Sequence, residues 1–490
     1  MAEFSPPSLG KPAVPGSIPD LTAVFLLALA ASALLWQEGD SPIAATAIVT
    51  IVFTPVLLYL ITASSQVAVG VLIAAAAASH FVVPILGLNA SPEHISVGVL
   101  CVALPVWLKR DPHRPTWNFI DGLLVLYVLL NIFSSVFMSV APRQNLKWAI
   151  QQAVVILPYF MLRFFLTDRR QFKKAFQIFL VIGVMQAAYA MVCFFSNLLT
   201  GSEFGMSIGQ YGPIPGTNGV QREANILGAY SCACFIALLT MYFKAPRRRL
   251  LLGAAIAWAA MAISLSRAAI GAAVIVCLVA GFYATKRKAL ARPLLVKVAF
   301  TILMTTLLIA PSLAPSYIAR AKELEISDPM EDASVKFRWF QIALAVEDII
   351  DHPVFGNGTA SFQLNFTYED SGYGDVDQGA WVSNVEMRVL HDTGGVGFVV
   401  FSLFAGFLLI RGWKTGQRES SPELLALVLS SLVYAITFQL TEATLLTFGW
   451  VHFGLIGSGL VAYTAEQRPF RELKPEYSRV PMRTIPGRAR

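Results

Sequence analysis

The sequence predicts an all-α, polytopic membrane protein of about 14 transmembrane helices, with both termini cytoplasmic and one long outer loop that carries an amphipathic helix. Three observations lead there. The first is composition: the 490 residues have a mean hydropathy of +0.62, are 56% hydrophobic and only 14% charged. Soluble proteins carry about 25% charged residues, and no soluble core accommodates so much apolar surface. The second is the shape of the apolar runs, which are long and unbroken where a β-barrel strand would alternate. The third is the spacing of cations. Of 37 Lys and Arg, 28 are Lys11 and members of the clusters Lys109–Arg114, Arg163–Lys174, Lys244–Arg249, Lys286–Lys297, Arg411–Arg418 and Arg468–Arg490. These clusters occupy every second connection, and basic short loops stay cytoplasmic.

The spans are read at 20–36, 43–62, 66–88, 94–108, 118–139, 147–166, 173–199, 222–243, 249–265, 267–284, 294–313, 388–410, 423–441 and 444–464. An even count places both termini inside and every basic cluster with them. The chain then divides into a Pro-rich cytoplasmic leader (1–19), a first membrane block (20–313), a long outer loop (314–387), a second membrane block (388–464) and a basic cytoplasmic tail (465–490). The first span resembles a signal peptide in its apolar core and its Ala31-Ser32-Ala33 triplet, but its leader carries only Lys11, so we read it as retained. The pI of about 9.1 reflects the cytoplasmic clusters and points to anionic lipid, not nucleic acid. All five cysteines fall in apolar spans, so no disulfide is expected.

Cytoplasmic connections are short, whereas the outer side holds the Gly- and Pro-rich segment 200–221 and the loop 314–387. Function is therefore expected on the outer side. Within the long loop, 334–351 reads as an amphipathic helix: Val335, Trp339, Ile342, Val346, Ile349 and Ile350 repeat at three- and four-residue steps, with Arg338, Gln341 and Asp348 on another face. Such a helix lies at the membrane surface over the spans, apolar side down. It serves either as a packing lid or as the carrier of Arg338 into a cavity beneath. The stretch 366–381 combines carboxylates with Tyr368, Tyr373 and Trp381, a mixture suited to sugar hydroxyls and sugar faces; the alternative is a solvated acidic lip. Asp375 and Asp377 lack the remaining oxygen ligands of a calcium loop, the histidines show no metal-ligand spacing, and neither a metal nor a cofactor is expected.

Nine cations remain for the outer side: Arg143, Lys147, Arg222, Arg267, Arg320, Lys322, Lys336, Arg338 and Arg388. Topology asks for none there, so they suggest an anionic ligand. Arg222, Arg267, Arg338 and Arg388 stand at helix starts or ends, where guanidinium forks and N-terminal dipoles both favour phosphate. Each taken alone reads rather as an arginine snorkelling to headgroups, and it is their recurrence on separate spans that points to a shared anionic site. Arg388, His391 and Asp392 fall at i, i+3 and i+4 and share a helix face, either as a base with its carboxylate or as a polar cap.

These residues resemble a known family. Ser264-Leu265-Ser266-Arg267-Ala268-Ala269 resembles the Ser-Arg-small motif of the O-antigen ligase and O-antigen polymerase superfamily. Arg338-Trp339 followed by Asp351-His352-Pro353-Val354-Phe355-Gly356-Asn357-Gly358 resembles its outer-loop pattern of an Arg-bearing helix, Asp-x-Pro and a Gly-x-Gly turn. Val382-Ser383-Asn384 and Asp392-Thr393-Gly394-Gly395-Val396-Gly397 resemble its His-Asn…Glu-Thr-Gly-x-x-Gly segment, and Asn225-Ile226-Leu227-Gly228 with Tyr230 resembles its Asn-x-x-Gly-x-Tyr span start. The resemblance covers roughly 210–410 in order.

It implies a bacterial inner-membrane enzyme with its site facing the periplasm. The implied donor is a polyprenyl-diphosphate-linked glycan, the second substrate a glycan acceptor, and a candidate partner a chain-length regulator protein. It further implies that Arg267 and Arg338, with Arg222 as a looser match, contact the diphosphate; Arg388 joins them by its place on the outer rim. The catalytic candidates are His391, Glu386, Ser383 and Asn384. Ser383 stands where ligases have histidine, so either His391 or Glu386 takes the proton or the reaction needs little base help, and the departure favours polymerase over ligase. The rival class is a lipid-linked glycan flippase or other transporter, which tends to show repeated halves and polar, broken helices at mid-membrane. A cell-shape type peptidoglycan glycosyltransferase would want an essential outer-loop carboxylate such as Glu369 or Asp370, without the flanking motif.

Overall fold

The computed structural model describes residues 64–78, 83–85, 88–90, 92–110, 117–206, 216–219, 221, 223–286, 292–324, 333–365, 382–439 and 447–465. Among them the chain is almost entirely helical. In order the helices are α1 (Ser65–Ala77), α2 (Pro92–Arg110), α3 (Phe119–Phe137), α4 (Pro142–Phe165), α5 (Arg169–Thr200), α6 (Ala224–Lys244), α7 (Arg248–Ile263) and α8 (Arg267–Lys286). They continue as α9 (Arg292–Leu324), α10 (Ala333–Asp351), the short α11 (Ser361–Asn365), α12 (Val385–Arg418), α13 (Pro422–Thr437) and α14 (Thr447–Ala465). The expected spans at 20–36 and 43–62 lie outside the described residues, as do the leader and tail.

Length and apolar character suffice for membrane crossing in 6 of the described helices: α3, α4, α5, α6, the Pro293–Ala314 part of α9, and α12. The polarity of the bundle is inverted relative to a soluble protein. Leu199, Leu278 and Leu308 are exposed, while Asn131, Asn145, Gln186 and His452 are buried. In water that distribution would be unfavourable on both counts; in lipid the outer apolar side chains meet their own solvent and the polar groups turn inward. Several helices and an apolar exterior make this a multi-pass membrane protein.

One expected span differs. The run 66–88 is not a single helix: α1 stops at Ala77, and β1 (Val83–Ile85) pairs antiparallel with β2 (Leu88–Ala90), with Val83 opposite Ala90. Pro84 has no amide hydrogen and Gly87 carries a helix penalty, so apolar composition alone does not extend the helix through this stretch.

Helices pack closely where side chains are small. Gly454 presses α14 onto α4, so that a Cβ there would fall 2.9 Å from the Tyr159 Cα. At the end of the bundle that collects the basic clusters, α3, α4 and α14 are tied by one buried ion pair. Arg163 Nη2 lies 2.5 Å from Asp121 Oδ2, the Tyr159 hydroxyl donates to Asp121 Oδ1 at 2.9 Å, and Arg163 Nη1 donates to the Gly457 carbonyl at 3.2 Å. Asp121 is also the reciprocal partner of Asn118 in the capping box that opens α3. The carboxylate is thus held by a cation, a phenol and a backbone amide together.

Asp121→Ala leaves the Arg163 guanidinium buried without its counter-ion. We expect a loss of about 3–5 kcal/mol, seen as a lowered thermal midpoint in detergent, while replacing both partners by apolar residues of similar size costs much less. An unchanged midpoint in the single variant would mean that the pair contributes nothing.

Candidate functional site

At the end of the bundle away from the basic clusters, α12 is broken. Gly394 has φ +65° and ψ −172°, a conformation open to glycine and strained for other residues. The break puts the carbonyls of His391 and Asp392 just before it and the amides of Gly395 and Val396 just after it, and a helix end buried without partners is costly. The chain that follows α10 supplies all four. Asn357 and Gly358 donate their amides to the carbonyls of His391 (2.9 Å) and Asp392 (3.1 Å). Gly395 and Val396 donate theirs to the carbonyls of Pro353 (2.8 Å) and Val354 (3.2 Å). Both contact points need glycine. A Cβ on Gly394 would collide with the Val354 backbone, and one on Gly356 (φ +72°) would lie 2.5 Å from the Gly394 nitrogen.

Asp392 is the hub of this clasp. Its Oδ1 lies 3.1 Å from His391 Nδ1, and its Oδ2 accepts from the Ala360 amide at 3.3 Å and faces Arg388 Nε at 3.6 Å. Its carbonyl also accepts from the Ser134 hydroxyl at 2.8 Å. A polar seam continues into α3, where the Thr359 hydroxyl donates to Asn131 Oδ1 (3.1 Å) and the Thr359 amide donates to the Ser135 hydroxyl (3.0 Å). The loop is therefore pinned between α3 and α12.

His391 is fully buried and spans two elements: its Nε2 lies 3.0 Å from Asp348 Oδ2 on α10, and its Nδ1 faces Asp392. An ionised carboxylate only accepts, so two such bonds require both ring nitrogens to donate. A ring so engaged has no free lone pair with which to receive a proton. The arrangement suits a tie between α10 and α12 better than an open base.

The other sequence candidates sort by position. Ser383 is buried and its hydroxyl donates to Gln341 Oε1 at 2.5 Å, a second link to α10. Asn384 caps α12, its Oδ1 accepting from the Met387 amide at 2.9 Å, and its Nδ2 donates to Gln439 Oε1 at 2.7 Å. Glu386, the second residue of α12, is exposed, with Gln439 Nε2 donating to its Oε1 at 3.1 Å. Arg388 is buried beside Asp392, and Arg338 is half-buried on α10. Arg222, Tyr368, Tyr373 and Trp381 lie outside the described residues. Among the described residues, no group of three or more His, Cys, Asp and Glu is arranged to hold a metal.

Arg267 opens α8 and is exposed. The turn that presents it is locally strained: Leu265 is buried with φ +57°, a left-handed conformation that costs an ordinary residue about 1–2 kcal/mol. Serines hold the turn. The Ser264 hydroxyl donates to the Met261 carbonyl at 2.7 Å, and Ser266 Oγ accepts from the Ala269 amide at 3.3 Å as a cap. Gly228 makes room for it, since a Cβ there would lie 2.7 Å from both Ser264 Oγ and Ser266 Cβ. Tyr230 on α6 stacks edge-on against Phe448, Phe448 against Tyr434, and Phe438 at the end of α13 accepts from the Val385 amide that starts α12. Through this chain of contacts the starts of α6, α8 and α12 come to the same end of the bundle.

Residues 252–402 match the family model described as O-antigen ligase. That match supports the O-antigen ligase and polymerase superfamily for this chain. A comparison with the curated proteins returns no match. The matched segment runs from α7 through the strained Arg267 turn and α10 to the break in α12, so it contains both structural specialities described above.

The sequence reading assigned Gln341 and Asp348 to the face of α10 away from the spans. The structure reverses this. Gln341 and Asp348 point to Ser383 and His391, and with Ala345 they form the docked face. Hydrophobic periodicity ranks faces by apolarity, and here the partner surface is polar. Asn131, Ser134, Ser135 and Thr359 were also not anticipated, because isolated small polar residues in apolar runs carry no spacing signal.

We expect Gly394→Ala and Gly356→Ala each to cost more than about 1–3 kcal/mol, since a strained conformation and a backbone collision coincide. Gly406→Ala on the same α12, where nothing lies within 4 Å of an added Cβ, serves as the neutral control. Yield of monodisperse protein and thermal midpoint in detergent check this, and equal behaviour of Gly394→Ala and Gly406→Ala would contradict the clasp.

Proposed function

We propose that the protein is a membrane glycosyltransferase that polymerises or ligates polyprenyl-diphosphate-linked oligosaccharides at the outer leaflet of the bacterial inner membrane. The single observation that carries this reading is the O-antigen ligase match over 252–402, which falls on the strained Arg267 turn and on the clasped break of α12 together. The site then faces the periplasm, opposite the basic clusters.

In this reading an acceptor hydroxyl oxygen attacks the anomeric carbon of the donor glycan, the bond from that carbon to the diphosphate oxygen breaks, and the polyprenyl diphosphate leaves with the electron pair. Negative charge grows on the leaving oxygen, so fixed guanidinium groups favour the transition state over the ground state. Arg267 and Arg338 are assigned to the diphosphate, with Arg222 as a further candidate, and Arg388 sets the field around Asp392. Trp381, Tyr368 and Tyr373 are assigned to the glycan. The acceptor's proton passes to Glu386, whose carboxylate is exposed at the start of α12. His391, Ser383 and Asn384 hold α10, α12 and the chain after α13 in register around the site. The absence of a histidine at Ser383 favours the polymerase form of the reaction.

Arg267→Ala and Arg338→Ala should each lower polymer by on the order of 100-fold in cells, with single-repeat lipid-linked intermediate accumulating. Normal glycan in both variants would overturn the assignment. Glu386→Gln should reduce turnover with little change in protein yield, whereas His391→Gln should lower yield and thermal midpoint as well as activity. If His391→Gln is well folded and slow while Glu386→Gln is fully active, the two roles are exchanged.

A further inference from the structure

Helix α10 meets three different surroundings. One face is docked on protein through Gln341, Ala345 and Asp348. A second carries the exposed charges Lys336, Glu347 and Asp351. Between them Trp339, Val346 and Ile350 fall within about 40° of one another on a helix of 3.6 residues per turn. All three are large, apolar and exposed, Ile350 at 70% and Trp339 at 57%, and the half-buried Ile342 and Ile349 flank them. A two-sided helix needs only protein and water. This one has a third stripe that neither accounts for.

The stripe does not end with the helix. Val354 is exposed just after it, and its carbonyl accepts the amide of Val396. From Val396 an exposed apolar row continues down α12 through Val399, Leu403, Phe407 and Ile410. Next to Val354, the Phe355 ring lies 5.2 Å from Phe133 on α3, which lies 4.9 Å from the exposed Phe137. Both α3 and α12 are helices of membrane-crossing length and apolarity. The third stripe of α10 and the exposed apolar rows of these two helices thus lie along one course of the chain.

We propose that α10 is an interfacial helix, with Trp339, Val346 and Ile350 set among the outer-leaflet acyl chains beside α3 and α12. Lys336, Glu347 and Asp351 then face water, as the polar side of a membrane-surface helix does. Trp339 sits at the boundary where an indole is favoured. Arg338 lies between the docked face and the apolar stripe, on the side of the helix opposite Lys336, Glu347 and Asp351. This placement needs only that α3 and α12 cross the bilayer, and it stands whichever glycan reaction the site performs.

The test is collision-accessibility electron paramagnetic resonance on the full chain in phosphatidylethanolamine–phosphatidylglycerol vesicles. Nitroxides are attached at cysteines replacing residues 336, 346, 347 and 350, one at a time, in a Cys101→Ala, Cys277→Ala background. All four positions are exposed, so labelling removes no core packing. Labels at 346 and 350 should favour oxygen over a water-soluble nickel chelate severalfold relative to labels at 336 and 347. Equal chelate access at all four positions would overturn the proposal in favour of a water-facing stripe. Low access to both reagents at 346 and 350 with dipolar broadening would overturn it in favour of a second copy of the chain.

Discussion

The site depends on a break in a helix that another segment repairs. Without water, an interrupted helix near the membrane leaves amides and carbonyls that nothing else satisfies. Here residues 353–358 enter the gap at Gly394 and exchange four backbone hydrogen bonds with α12 on either side of it. The geometry has no slack, because backbone meets backbone at Gly356 and Gly394 without side chains between. Once it is formed, α10 cannot shift relative to α12 without breaking the backbone pairing, the His391 tie and the Ser383–Gln341 bond together. The loop that holds the site is therefore part of the membrane scaffold and does not rest on it passively.

The same constraint explains where polar residues sit. Asp392 receives a ring nitrogen, a backbone amide and a guanidinium on its carboxylate, and a hydroxyl and an amide on its carbonyl. At the opposite end Asp121 receives a guanidinium, a phenol and an amide. Each buried carboxylate is surrounded by donors from several helices, so each works as a junction. A partly satisfied buried carboxylate would be costly, so each of these two draws its donors from several helices.

The fold was legible wherever an apolar run coincided with a helix. Phe119–Phe137, Arg169–Thr200 and Ala224–Lys244 lie close to the expected spans, and Ala333–Asp351 lies on the helix expected at 334–351. Legibility failed where chain chemistry outweighed composition. The run 66–88 averages as a span, but the helix stops at Ala77 and a β pair that includes Pro84 forms beyond it. In the candidate site, the i, i+4 spacing of Arg388 and Asp392 was readable as one helix face. The 43-residue separation of Asp348 from His391 was not, since only the folded loop creates that contact. The glycines of the Gly394–Gly397 segment were legible only as part of a motif. Gly394 sets a left-handed break, a role that depends on what fills the gap and that sequence spacing does not display.

The reversal of α10 has the widest consequence for how the site works. A helix with its apolar face down would cover the bundle as a removable lid, held by non-directional contact. With Gln341 and Asp348 down, the hold is directional, and the apolar stripe is released for another role. Arg338 then sits on a helix whose orientation is fixed by two hydrogen-bonded contacts and whose depth is set by where its exposed apolar residues find their solvent. In the proposed reaction, a cation carried on so fixed a helix would act on a leaving group that develops its own charge beside it. Arg267 is presented by a different route, at the first residue of a helix whose preceding turn is strained, capped by Ser266 and pressed against Gly228.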